Sequence, residues 1–232
     1  MAKITPGPTV GQISGSIGST VYSHNRYGAY IRSRTIPTNP NTAHQQVIRS
    51  ILAACSSAWK ALTTAQKVAW QAWAQTNPII DRLGAQQVLA GNAAYIALSH
   101  RIMQTGGAAA TDPPVTDVPP PLLTLVGEFD IGPGDFDLTF TGTPLAAGHR
   151  LYVQAAVTES PAVNYTKNLL KLIVISAAAE AGPLDIQTEL TARFGTLQVG
   201  QTVHAQCSVL DGVSGLLSTP IRTSGLIVDT TV

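Results

Sequence analysis

Polar and apolar positions alternate along this chain with two different periods, and the change of period divides it. Over 42–62 the apolar residues Ile48, Ile51, Leu52, Cys55, Trp59 and Leu62 recur at three- and four-residue intervals, which predicts a helix with one buried face. Asn41 or Thr42 is placed to cap its first turn, after the turn-forming Asn39-Pro40. Thr63-Thr-Ala-Gln66 has capping-box spacing, so a second helix follows at once, carries Trp70 and Trp73, and ends before Asn77-Pro78. A third helix is read over 90–104, with Ala94, Leu98 and Ile102 on one side, Tyr95 beside them and Gly106 beyond its end. Trp59, Trp70 and Trp73 are the only three tryptophans in the chain, and their placement predicts a small helical core built round indoles.

The period falls to two on either side of these helices. Upstream, Gly11, Gly15, Gly18 and Gly28 punctuate β-favouring residues, and strands meeting near 24–28 form a hairpin. A lone hairpin is marginal in water, so it needs support from the helices or from another subunit. Downstream, apolar segments at 122–128, 136–141, 150–158, 169–176, 201–210 and 221–228 are separated by turn signals such as Gly132-Pro-Gly134 and Asp211-Gly212. They predict an immunoglobulin- or fibronectin-like β-sandwich, with a short helix inserted over 185–194. Between the two regimes, residues 106–121 lack periodicity and hold five of the fifteen prolines, which predicts an extended linker. The expected fold is therefore α+β in two domains. Residues 1–40 form a β-hairpin arm, 41–105 a helical module, 106–121 the Pro-rich linker and 122–232 the β-sandwich.

Charge sharpens this division. The net charge is +1, yet residues 1–110 hold nine Lys/Arg and a single acid, Asp81. Residues 111–232 hold five Lys/Arg and twelve acids. Such asymmetry points to nucleic-acid contact or to polar self-assembly, with the first half of one copy meeting the second half of the next. Only 12 % of residues are charged, about half the usual share, which fits a surface buried against partners. No apolar run approaches the roughly 20 residues of a membrane span, and the first residues carry no apolar signal core. The expectation is a soluble protein made inside the cell that does not contact membranes.

Catalytic and ligand-binding motifs are missing from the sequence. Cys55 and Cys207 fall in different predicted domains without histidine at zinc-ligand spacing, and read as small buried hydrophobes. The five histidines form no HExxH pattern, and no GxSxG elbow occurs. Gly11-Gln-Ile-Ser-Gly-Ser-Ile-Gly18 lacks the lysine of a phosphate loop. Asp130, Asp135 and Asp137 around Gly132-Pro-Gly134 read as solvated turn acids rather than a calcium site. Neither an enzyme, nor a cofactor, nor a metal is expected. The chemistry that stands out is the hairpin, where Arg26, Arg32 and Arg34 sit among Tyr22, Tyr27 and Tyr30, a mixture suited to a protein interface or to phosphate contact with stacking.

Those same residues carry a resemblance. The run from Gly15 through Arg34, then Pro37-Thr-Asn-Pro-Asn-Thr42, Gln45, Arg49, Trp59-Lys-Ala-Leu-Thr-Thr-Ala-Gln66 and Trp70, resembles a family of uncharacterised proteins from tailed-bacteriophage and prophage genomes, over about residues 10–100. The second half is similar in general look to β-sandwich appendages of tailed-phage capsids and tails. The resemblance implies a structural component of a virion (capsid-associated, connector or tail protein) that binds other virion proteins and copies of itself. The alternative is a DNA-binding protein using the basic half, and a hydrolase of host surface polymers ranks third.

Overall fold

The computed structural model describes residues 2–3, 7, 11–25, 28–80, 86–115, 117–141, 145–163 and 165–231. The protein is mixed α+β, with antiparallel sheets, and separates into two compact units, Met1–Gln46 and Val47–Val232.

In the first unit, β1 (Ala2–Lys3), β2 (Gly15–Ile17), β3 (Thr20–Asn25) and β4 (Gly28–Ser33) form one sheet in the order β1-β4-β3-β2. The expected hairpin is β3–β4, paired from Thr20↔Ser33 to Asn25↔Gly28. A second tight turn joins β2 to β3, where Ile17 pairs with Thr20 and Gly18 takes φ +59°, a conformation open to glycine at little steric cost. The hairpin thus gains a strand on each edge from its own unit. What the sheet lacks is a core, because no described residue of this unit is buried.

Helix α1 (Ala43–Ala61) lies mostly in the second unit and is followed by α2 (Thr64–Thr76), the short strands β5 (Ile79–Ile80) and β6 (Gln86–Gln87), and α3 (Gly91–Gln104). The α1–α2 corner is set by the capping box. The Thr63 hydroxyl accepts from the Gln66 amide at 3.3 Å, while the Thr63 amide donates to Gln66 Oε1 at 3.0 Å. Helix α3 meets α2 through Gly91, whose amide donates to Gln71 Oε1 at 2.9 Å. A Cβ at position 91 would lie 2.8 Å from the Gln71 amide nitrogen, so the approach requires glycine.

The remaining strands are β7 (Leu125–Asp130), β8 (Asp135–Phe140), β9 (His149–Thr158), β10 (Lys171–Ile175), β11 (Leu184–Asp185), β12 (Thr202–Asp211) and β13 (Ile221–Leu226), with α4 (Gln187–Phe194) after β11. They form a four-stranded sheet β10-β9-β12-β13 and a three-stranded sheet β11-β8-β7. One core joins them. Phe129, Phe136, Leu138 and Phe140 come from the smaller sheet, Leu151, Val153, Val203, Cys207 and Val209 from the larger, and Ile186 and Leu190 from the α4 region. Alternation places every second side chain of these strands inward.

The described residues of 106–121 form neither helix nor strand, and the segment packs closely. Ala109 and Ala110 lie against the tryptophan cluster, and the Thr111 carbonyl accepts from Trp70 Nε1 at 3.2 Å. Helices and sheets of the second unit also meet directly, with Arg101 Nη1 donating to the Gly215 carbonyl at 3.1 Å.

Candidate assembly surface

The residues singled out in the N-terminal sheet divide between its two faces. Cross-strand pairing of Val21 with Arg32 and of Ser23 with Tyr30 puts those four on one face. Lys3 takes the register position opposite Tyr30. Tyr22, paired with Ile31, lies on the other face with Thr20 and Ile17. Tyr22 and Tyr30 are partly buried, and Arg32 and Arg34 exposed. Arg34 follows the end of β4 and its amide donates to the Ser19 carbonyl at 2.7 Å. Arg26 and Tyr27 lie outside the described residues. The structure therefore brings Tyr30 and Arg32 together, with Arg34 two residues on, and separates Tyr22 from them.

The first half of α1 is equally uncovered. Its side chains from residue 43 to 54 are all at least partly exposed, with Val47 53 % and Leu52 45 % accessible. Its second half is held. Cys55 is buried with its Sγ 3.5 Å from Met103 Sδ, and Trp59 packs on Tyr95 with ring centroids 5.1 Å apart. Trp70 is fully buried, and Trp73 and Tyr95 meet its ring edge-on at 5.9 and 5.3 Å. Trp59 and Trp73 remain partly exposed at the margin of this cluster. Tyr95, read from the sequence beside Ala94, Leu98 and Ile102 on α3, lies at its centre.

The acids of the second half gather on one outward face of the three-stranded sheet. Asp185 pairs with Asp137, Asp137 with Glu128, and Asp135 with Asp130, so five carboxylates share the face opposite the core phenylalanines. Burial and then the charges of Asp185, Asp135 and Glu128 raise the Asp137 carboxyl above its ordinary value. Asp130 is held by its own surroundings, chiefly the Thr230 hydroxyl, which lower it. Among the described residues none of the five forms an ion pair. Asp185 was missed as part of this group because β11 has only two residues and its pairing with β8 is a long-range event.

The described residues of the second unit line two cavities among others. One of about 260 Å³ is lined by His204, Arg222, Thr166 and Ser224. Its Arg222 and His204 side chains bond to neighbouring strands. Arg222 Nε donates to Gln206 Oε1 at 2.7 Å, Gln206 Nε2 to Gln154 Oε1 at 3.1 Å, and His204 lies 3.3 Å from the Thr158 hydroxyl. Burial lowers the His204 pKa, favouring the neutral ring. The other, about 390 Å³, is lined mainly by apolar groups including Trp73, Leu98 and Leu216, with Arg101 at its wall. Burial lowers the Arg101 pKa and raises that of Tyr152 against the opposing effect of the Arg101 charge. Among the described residues no group of three or more His, Cys, Asp or Glu side chains is close enough to hold a metal ion. Cys55 and Cys207 are both buried free thiols, and burial pushes Cys207 up to about 12. No helix among the described residues is long and apolar enough to cross a membrane.

Against this geometry, no protein-family model, curated protein or solved structure matches the chain.

Proposed function

We propose that this chain is a non-enzymatic structural component of a bacteriophage virion, joined to the particle through its N-terminal sheet and the first half of α1. In this reading the protein has two domains, and the two sheets that share a core form an immunoglobulin- or fibronectin-like sandwich carried by the docking module. One observation supports it above the others. Every buried side chain among the described residues lies at or beyond Cys55, so the described residues of the first unit have strands but no interior. A sheet of that kind draws its stability from a surface supplied by another molecule. The resemblance of residues 10–100 to a phage and prophage family gives that molecule its context. Acid-free residues 1–46, with Lys3, Arg26, Arg32 and Arg34, support the alternative of a DNA contact.

Quantitative mass spectrometry of purified particles tests the reading. The expected result is a fixed copy number per virion, and absence from washed particles overturns it. Deleting residues 1–36 removes none of the buried core, so the truncated protein should remain folded yet fail to incorporate. If instead the full chain binds duplex DNA with a steep loss of affinity between 50 and 200 mM salt (about 10³-fold or more for six or more phosphate contacts), the DNA reading replaces it.

A further inference from the structure

We infer that the basic face of the N-terminal sheet docks on the acidic face of β7, β8 and β11 in a second copy of this chain, so that copies join head to tail. The inference rests on the reading of the protein as an assembling subunit and names the partner of its docking sheet.

Three observations converge on that occupant. The first is the missing interior of the sheet, which leaves Val21, Tyr30 and Arg32 without a covering layer. The second is charge. The first unit has four Lys/Arg and no Asp or Glu, so nothing within it neutralises Arg32 and Arg34. The opposed face carries Glu128, Asp135 and Asp137 with no hydrogen bond or ion pair among the described residues, aligned across neighbouring strands. Like charges directly opposite on a sheet are destabilising, and the charges of Asp185, Asp135 and Glu128 add to burial in raising the Asp137 carboxyl. The third is spacing. Asp135 and Asp137 are two residues apart on one strand, about 6.7 Å, and Arg32 and Arg34 repeat the same two-residue interval. A row of cations with partly buried tyrosine beside it faces a row of anions beside exposed Val126. The charges set orientation while the apolar groups supply affinity.

The two patches differ, so the contact is heterologous. Each copy keeps one unused patch, and addition continues until a ring closes or a filament grows.

Sedimentation velocity of the full chain across concentration and salt tests this. The wild type should shift to larger species with concentration and return toward monomer as salt rises. Arg32→Glu with Arg34→Glu, and separately Glu128→Lys with Asp135→Lys, should each weaken association about tenfold or more while leaving the circular dichroism spectrum unchanged. All four positions are exposed, so no buried packing is removed by these changes. Mixed in equal amounts, the two variants should associate more strongly than either alone, because each reversed arginine position can then meet a reversed acid position. Wild-type protein that stays monomeric at all concentrations overturns the inference, as do variants that associate like wild type or a mixture that stays apart. A loss of binding to a duplex DNA probe in the arginine variant, with self-association intact, overturns it in favour of nucleic acid. Detection in particles is a separate measurement, so head-to-tail association in a protein absent from virions would defeat the functional reading alone.

Discussion

Trp70 and Trp59 differ in what surrounds them, and the difference has a measurable size. Trp70 is fully enclosed, with Tyr95 and Trp73 edge-on to its ring and its Nε1 bonded to the Thr111 carbonyl. Trp59 touches Tyr95 from the margin. Trp70→Ala should therefore cost about 3–5 kcal/mol, and Trp59→Ala distinctly less, in chemical denaturation followed by far-ultraviolet circular dichroism. Gly215 is a second sensitive position. It takes φ +73°, and a Cβ there would sit 2.6 Å from the Leu98 carbonyl oxygen. The junction of α3 with the 211–217 turn is closed by this residue, and its periodicity-free surroundings hide it from the sequence.

At the scale of elements, the three-stranded sheet carries a cost that depends on pH. The Asp137 carboxyl is raised by burial and by its neighbours, so the folded state holds its proton more tightly than the unfolded chain. Ionisation of Asp137 thus lowers stability as pH rises from the unfolded carboxylate value, near 3.9, through the raised folded value. Asp137→Asn should be more stable than wild type at pH 7 by about 0.2–1 kcal/mol, a screened cross-strand magnitude, and equal to it below about pH 3. Thermal melts at the two pH values check this. His204 acts in the opposite sense, since burial favours its neutral ring and protonation on acidification opposes folding.

The elements also show which parts of the structure were open to sequence reading. The helix read over 42–62 runs Ala43–Ala61, and the capping box at Thr63 starts α2 where its spacing placed it. Ten-residue β12 spans Thr202–Asp211 where alternation put a strand over 201–210. These signals are local, because a period of 3.6 or 2 is written within one element. The strands that escaped are β1, β2, β5, β6 and β11, of two or three residues each, too short to display a period. The surface was legible in part for the same reason. Arg32 and Tyr30 share a face by parity, but Tyr22, the third residue from the same run, falls on the reverse side once the register is fixed. Glu128, Asp130, Asp135 and Asp137 were open to sequence reading, while Asp185 needed the pairing of β11 with β8, which no local pattern contains.

At the scale of the whole molecule, the enclosed residues are concentrated in the second unit. Strands β9 and β12 pair through all ten residues, from His149↔Asp211 to Thr158↔Thr202, and each has a further strand on its outer edge. Their inward side chains Leu151, Val153, Val203 and Cys207 are fully enclosed. The N-terminal sheet has no such enclosure, and its edge strand β2 is exposed throughout. That contrast fixes a timetable for amide hydrogen exchange. Deuterium should enter the amides of β2 and β3 almost at once in the dissociated protein, because opening that sheet exposes no core. The central amides of β9 and β12 should exchange only when the second unit unfolds as a whole, the slowest class. Mass spectrometry of peptic fragments separates the two, and equal uptake in both regions would contradict the picture. Docking would then be visible as slowed uptake in the N-terminal strands alone. A subunit built this way would arrive at its neighbour already folded in the part that must last, with the part that makes the contact still free to settle against the surface it meets.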